Sequence, residues 1–456
     1  MKRTLADFAK ECSGTLRGAD QSFSGVSSDT RTLKPGELFV ALRGPRFDAN
    51  QFVSAAHSAG AAGAVVDSPQ ESAISQIVVQ DTQAALERLG HSWRNQFAIP
   101  VIGVAGSNGK TTTKEMTATI LAQAGSCLAT RGTLNNHIGV PLTLLRLQAT
   151  DKFAVIEMGA NHPGEVAALV RIARPTVGLI TNAGAEHLEG FGSLEGVARA
   201  EGEMVEGLAG TATAVINADD EFASLWRQMT PARIVSFGVE KSADFAATDI
   251  RTSIGAEGFV THFVLESPLG PGTPVELHMG GRHNVANALA AAAAASAAGA
   301  TLHHVVAGLA AVRAVPGRLQ FKRAAGGAWL IDDSYNANPS SVRAGIEVLA
   351  SLEGHKWLVL GDMAELGEYA HSSHREIGEL ARKCGIERLY ATGELAALAV
   401  ESFGPGAQWF ADATALAHAL EAATADVRML IKGSRVNRLE RVVEALVGST
   451  TKQGGV

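Results

Sequence analysis

Cysteine is scarce in this chain, and the shortage removes two kinds of chemistry at once. Cys12, Cys127 and Cys384 are odd in number, far apart and without metal-type spacing, so they read as core packing in a reducing compartment, not as a disulfide framework or a zinc site. An excess of positive charge is also missing. With 39 basic against 46 acidic residues, the net value of -7 leaves no electrostatic footprint for nucleic acid or an anionic membrane, and a small anionic ligand needs a local basic site. No stretch reaches the roughly 20 apolar residues that cross a bilayer. The longest candidate, residues 288–298, is short and alanine-rich and predicts a close-packed helix ending near Gly299. At the amino terminus, Met1-Lys2-Arg3-Thr4-Leu5-Ala6-Asp7 turns acidic too early for a signal peptide. A cytoplasmic protein without membrane insertion is the expectation.

What is present points to layered α/β architecture. At 456 residues and 46% hydrophobic content the chain can build real cores, in about three domains by ordinary domain size. Short apolar strands alternate with helical stretches, which predicts largely parallel sheets. Three blocks follow, residues 1–82, 83–314 and 315–456. The first holds strands near 38–42, 64–66 and 77–79, and a helical stretch begins at Thr82. The second repeats one device, a strand ending in polar residues: Glu157, then Thr181-Asn182, then Asn217-Ala218-Asp219. Its Pro268-Leu269-Gly270-Pro271-Gly272-Thr273-Pro274 segment predicts a hairpin turn in a small appended sheet. In the third block, strands near 330, 358, 389 and 430 end in Asp332-Asp333, Gly361-Asp362, Thr392-Gly393 and Lys432-Gly433-Ser434. The expected fold class is therefore α/β in three domains: a small N-terminal α/β domain, a central P-loop ATPase-type parallel sheet with a small appended β-sheet, and a C-terminal Rossmann-like domain lacking a phosphate loop.

Val104-Ala105-Gly106-Ser107-Asn108-Gly109-Lys110-Thr111-Thr112 carries the strongest chemical signal. An apolar strand precedes it, and Met116, Ile120 and Leu121 keep helical spacing after it, up to an expected cap at Gly125. A glycine-rich loop at that junction turns backbone N–H groups and a positive helix end toward an anion; Lys110 reaches terminal phosphates and the Thr111 hydroxyl can ligate Mg2+. The strict G-x-x-x-x-G-K-[ST] pattern is missed by one position, because Val104 stands where a glycine is required and Gly103 comes one residue early.

Other residues gather around that signal. Glu157 closes a buried strand, where a carboxylate must be paired or bind a metal, and His187 lies in the loop after the next strand, where a neutral imidazole suits a second metal. Asn284 and Asn287, three apart at a helix start, either share a face that reads a base or ribose, or Asn284 caps the helix. Arg318 follows a Pro-Gly turn and serves either a phosphate or a surface ion pair. Asp332-Asp333-Ser334-Tyr335-Asn336-Ala337-Asn338-Pro339 is a polar loop that Pro339 keeps from continuing as helix, and Lys432-Gly433-Ser434-Arg435 can hold a substrate carboxylate. Two sets of facing strand ends predict a cleft that closes and excludes water.

Taken together, the phosphate loop, Glu157-Met158-Gly159-Ala160-Asn161-His162, the His187 loop, Gly281-Arg282-His283-Asn284, Pro316-Gly317-Arg318 and the Asp333 loop resemble the Mur ligase family over nearly the whole chain. Thr133-Leu134-Asn135-Asn136-His137-Ile138-Gly139-Val140-Pro141, the 333–339 loop and Gly361-Asp362-Met363-Ala364-Glu365-Leu366-Gly367 resemble the branch that adds D-alanyl-D-alanine to UDP-N-acetylmuramoyl-tripeptide. The resemblance implies an ATP- and Mg2+-dependent ligase working through an acyl phosphate, acting as a monomer on those two substrates. It implies Lys110, Glu157, His187 and Arg318 as catalytic, with Gly106, Ser107, Asn108, Gly109, Thr111 and Thr112 cradling phosphates. Thr111, Glu157 and His187 would hold Mg2+, Asn284 and Asn287 the adenine side of ATP, and Arg318 and Asp333 its phosphates and ribose. Ser28, Asp29, Arg31, Arg46 and Asp48 would contact the sugar nucleotide, where Ala49-Asn50 departs from the family's usual residues. Asn135, Asn136, Tyr335, Asn336, Asn338, Lys432 and Ser434 complete the implied substrate set.

One further departure matters. Where the family usually carries a lysine carbamylated into a metal-binding carboxylate, this chain has Glu201, expected to supply that carboxylate directly, with Glu203 or a solvent-facing role as the alternatives. Rival activities are another Mur-type or folylpolyglutamate-type amide ligase; a GTP switch lacks its Asn-Lys-x-Asp stretch here. Whether the tripeptide ends in diaminopimelate or lysine stays open.

Overall fold

Strands apolar on both faces, such as Val101–Ala105, all of whose residues are buried, are stable only inside a sheet covered by helices on both sides. The computed structural model describes residues 3–44, 47–255 and 258–448 and meets that demand in its central sheet. Six parallel strands run in the order Cys127–Ala129, Phe153–Glu157, Val101–Ala105, Val177–Ile180, Thr213–Asn217 and Arg233–Phe237. One face is covered by helices Lys110–Ala122, Arg282–Ala297 and Leu302–Ala311, the other by Gly139–Leu144, Glu165–Ala173, Leu194–Glu206 and Ala223–Met229.

Two further sheets flank this one along the chain. The five-stranded N-terminal sheet orders Thr15–Arg17, Gln76–Val78, Gly63–Val66, Glu37–Val40 and Gly25–Ser27, antiparallel only at its first pair. In the C-terminal sheet, Gln320–Arg323 pairs antiparallel with Trp329–Asp333, and Val427–Lys432, His355–Leu360, Arg388–Thr392 and Ala407–Phe410 follow in parallel. The fold class is thus α/β with a central parallel sheet and a mixed C-terminal sheet. Helix Thr82–Arg94, N-capped by Asp81, joins the first two sheets by packing Leu86 and Leu89 into the N-terminal core.

Local details differ from expectation for physical reasons. The appended sheet is three antiparallel strands, Ala246–Gly255, Gly258–Ser267 and Gly270–Leu277, so most of the Gly/Pro-rich segment is strand and only Pro268 and Leu269 turn. Proline is tolerated there because Gly270–Leu277 is an edge strand whose outer N–H groups need no partner. The helix after the phosphate loop ends at Ala122 with Gln123 as its cap, not at Gly125. Among the described residues, no helix is long and apolar enough to cross a membrane.

The alanine-rich helix Arg282–Ala297 explains its own composition. Every side chain from Ala288 to Ala295 is fully buried, and apart from Leu289 all are alanine, whose small side chain lets the helix backbone approach its neighbours closely. Replacing Ala292 with Leu is expected to cost about 1–3 kcal/mol of stability through overpacking, read as a lower midpoint in denaturant unfolding.

Candidate functional site

The carboxyl ends of the central strands face the C-terminal sheet across a cleft of about 660 Å³, the scale of a small-molecule site. Its floor is the loop between Val101–Ala105 and helix Lys110–Ala122. Gly106 and Gly109 adopt φ of 118° and 81°, and a Cβ on them would lie 2.2 Å from Thr181 Oγ1 and 2.3 Å from Asn287 Oδ1. Only glycine fits both positions. Asn182 accepts from the Ser107 amide through its carbonyl (2.8 Å) and from the Asn108 amide through Oδ1 (3.0 Å), while Thr181 Oγ1 donates to the Asn108 carbonyl at 2.7 Å. The polar end of the neighbouring strand therefore clamps the loop.

Lys110 lies in that loop among acceptors. Its Nζ donates to the Gly106 carbonyl, to the Ser107 carbonyl (2.9 Å) and to Glu186 Oε1 (3.0 Å). Burial works against the ammonium, but Glu186, Glu201 and Glu157 outweigh it and hold the Lys110 pKa above the ordinary lysine value. In the sequence, the sole sign of Glu186 is its charge beside His187. Glu201 is buried and accepts from the Gly106 amide at 2.7 Å. Burial first, with Glu186 adding and Lys110 opposing, pushes its carboxyl up to about 7. Glu201 is not among the residues lining the cleft, and the Gly106 amide engages its Oε2. Glu203, the alternative, points elsewhere: it accepts from the amides of Gly164 and Ala167 at the start of helix Glu165–Ala173.

Glu157 lines the cleft with Oε1 accepting from Asn135 Nδ2 at 2.9 Å, while its buried Oε2 has no partner among the described residues. An orphaned carboxylate oxygen in a cleft is the donor a hard cation needs. His187 also lines the cleft, and its Nδ1 contacts Glu365 Oε2 from the C-terminal unit. Thr111 is nearly buried, and its hydroxyl accepts from Arg318 Nη2 at 3.2 Å. Among the described residues, no three of His, Cys, Asp and Glu form a ready-made metal cluster. For Mg2+ this is the usual situation, since the ion keeps waters and phosphate oxygens beside one or two carboxylates.

The C-terminal wall reaches the loop directly. Asn338 is the N-cap of helix Pro339–Ala350, so Pro339 starts a helix where it was expected to block one, the fixed φ of proline suiting the first helical position. The Asn338 Nδ2 group donates to Asn108 Oδ1 (2.8 Å) and Glu186 Oε2 (3.3 Å), and Asn108 Nδ2 donates to Ser340 Oγ (3.0 Å). The amide expected to orient substrate thus bridges the two units. Lys432 donates to Asp333 Oδ2 (2.6 Å) and to the Asn336 carbonyl (2.9 Å), while the Asn336 residue itself is exposed in the cleft. Arg318 lies over the Tyr335 ring, 4.4 Å from its centroid.

At the other end of the cleft, Asn284 donates to the Gly280 carbonyl and accepts from Asn287, inside a helix whose N-cap is Gly281; the capping alternative for Asn284 does not hold. Several expected residues are not among those lining this cleft. Asn136 accepts from the Ile138 and Gly139 amides and Ser434 bonds Asn437, so both shape their own turns. Thr112 and Asn135 line the cleft. Ser28, Asp29 and Arg31 sit in a loop of the N-terminal sheet, with Arg31 paired to Asp29, and Asp48 lies in the short strand Phe47–Asp48, paired to Arg43. Arg46 lies outside the described residues.

His283, also in the cleft wall, is desolvated there, and this lowers its imidazole pKa from 6.5 to about 4 against the pull of Asp333. A folded pKa below the unfolded one means that the unfolded chain takes the proton first, so this contribution is intact above 6.5 and is lost as pH falls toward 4. His283→Gln is expected to lose less thermal stability between pH 7 and pH 5 than the parent, measured by parallel melts.

Residues 104–295 match the Mur ligase middle domain and residues 317–435 the Mur ligase, glutamate ligase domain. The chain is 45% identical to the UDP-N-acetylmuramoyl-tripeptide--D-alanyl-D-alanine ligase of Escherichia coli K12, over 97% of this chain and 98% of that one. Its structure is similar to the crystal structure of MurF from Acinetobacter baumannii (TM-score 0.91, 34% identity, 98% and 99% of the two chains covered). It is also similar to that of the MurF ligase from Thermotoga maritima in complex with ADP (TM-score 0.81, 28% identity, 93% and 97% covered). By this likeness, which runs through all three sheets, the chain belongs to the Mur ligase family.

Proposed function

We infer that this chain is an ATP-dependent ligase joining D-alanyl-D-alanine to UDP-N-acetylmuramoyl-tripeptide, the amide-forming step that yields a UDP-muramoyl-pentapeptide for peptidoglycan. The observation that carries this reading is the 45% identity over 97% of the chain to a ligase of that name. In such a ligase, a terminal carboxylate oxygen of the tripeptide attacks the γ-phosphorus of ATP and ADP leaves. The D-alanyl-D-alanine amine then attacks the acyl carbon, phosphate departs, and the nitrogen loses a proton.

The cleft suits that sequence of events. Lys110 places a desolvated positive charge where phosphoryl negative charge develops, and Arg318, which already reaches Thr111, adds a second from the opposite wall. Thr111, Glu157 and His187 are the residues that would hold Mg2+, whose chemistry is to neutralise charge shared between phosphate oxygens. Glu201 would add its carboxylate to that set, with Oε2 also accepting from the Gly106 amide. Asn284 and Asn287 belong to the adenine end, Asp333 to the ribose or phosphates, and Asn336, with its neighbours Tyr335 and Asn338, to D-alanyl-D-alanine. The three sheets then divide the work, residues 1–82 holding the sugar nucleotide, 83–314 the ATP and 315–456 the dipeptide. In this reading the protein works in the cytoplasm as a monomer.

Phosphate release from ATP tests the reading. Release is expected to require both UDP-N-acetylmuramoyl-tripeptide and D-alanyl-D-alanine, and Lys110→Ala is expected to lower it about 100- to 1,000-fold. Release indifferent to the dipeptide would overturn it.

A further inference from the structure

Two non-glycine residues with left-handed backbones meet across the cleft mouth. His187 has φ of 50° and Glu365 φ of 62°, and the imidazole Nδ1 of one contacts the carboxylate Oε2 of the other. Neither conformation is favourable for a residue with a Cβ, so surrounding structure must impose both. On the Glu365 side the imposing structure is visible. Asp362 accepts from the Ala396 amide through Oδ1 (2.7 Å) and from the Ser434 amide through its carbonyl (2.9 Å). The Met363 amide donates to Nε2 of fully buried His374 at 2.9 Å, and the side chains of Met363 and Leu366 are buried on either side of Glu365. A loop pinned this firmly has one exposed acid at its crest, directed at His187.

We propose that Glu365 is a positioning residue for His187. A carboxylate only accepts, so it selects the imidazole tautomer with the proton on Nδ1 and leaves the Nε2 lone pair for the cleft. The inference rests on the reading of His187 as a Mg2+ ligand. Since His187 belongs to the central unit and Glu365 to the C-terminal one, the oriented histidine exists only when the units are closed. Metal affinity and closure are therefore coupled, and each strengthens the other.

The test uses the full-length chain with two substitutions. Glu365→Gly removes the carboxylate while relaxing the left-handed backbone, so folding is not put at risk. Glu365→Gln keeps an acceptor oxygen. Mn2+ binding in the presence of ADP, followed by electron paramagnetic resonance of the free ion, is expected to weaken about tenfold or more in Glu365→Gly and to recover largely in Glu365→Gln. The Mg2+ concentration for half-maximal phosphate release should rise in step, with KM for D-alanyl-D-alanine unchanged. Unaltered Mn2+ affinity in Glu365→Gly, or a fall in kcat with the same metal dependence, would overturn the proposal. Failure of the ligase reading would show separately, as parent protein releasing phosphate without need of the dipeptide.

Discussion

A lysine ammonium held out of water must be surrounded by acceptors and opposing charge, and in this protein that requirement falls on Lys110. Its three carboxylate neighbours come from different elements: Glu157 from the end of a strand, Glu186 from the loop after the next strand, and Glu201 from helix Leu194–Glu206. They converge only because the strands are parallel and in register, Val104 opposite Glu157 on one side and Leu179 on the other. The helix bearing Glu201 is seated in turn by Trp226, whose indole donates to the Ala198 carbonyl at 2.8 Å. Burial, with Glu186 adding and Lys110 opposing, raises the Glu201 carboxyl, and the Glu157 oxygen without a partner among the described residues faces the same positive centre.

The contacts that join the C-terminal unit to the phosphate loop are polar. Asn338, Ser340 and Arg318 reach Asn108, Glu186 and Thr111 through single hydrogen bonds, each worth about 1 kcal/mol net. Such an interface can open to admit ligands and close on them at little cost. The large apolar cores lie on either side of it, one pair of clusters for each large sheet, and the apolar link between the units is at the appended sheet, where Phe259 packs on Phe321 with ring centroids 5.0 Å apart.

Much of this was legible along the chain because it is local. A buried strand, a glycine-rich turn and an amphipathic helix follow one another within residues 101–122, and their hydrophobic spacing and loop chemistry lie in adjacent residues. The polar strand ends and the buried position of Glu157 are equally local, and so is the smallness of the alanine helix. Where adjacent residues permit two structures, short-range pattern does not choose between them. Pro339 was compatible with stopping a helix or starting one, and the capping amide of Asn338 decided it.

The sequence by itself therefore determined the α/β class, the phosphate loop with its lysine and the family, because these reside in short-range patterns. Only the tertiary structure decided which partner each polar group takes. Glu186 became the counter-ion of Lys110 across 76 positions, Glu201 the brace of Gly106 across 95, and Glu203 the cap of a helix 39 positions away. Those pairings depend on how sheet and helices stack, and a side chain's chemistry alone does not say which distant neighbour the packing will bring within reach.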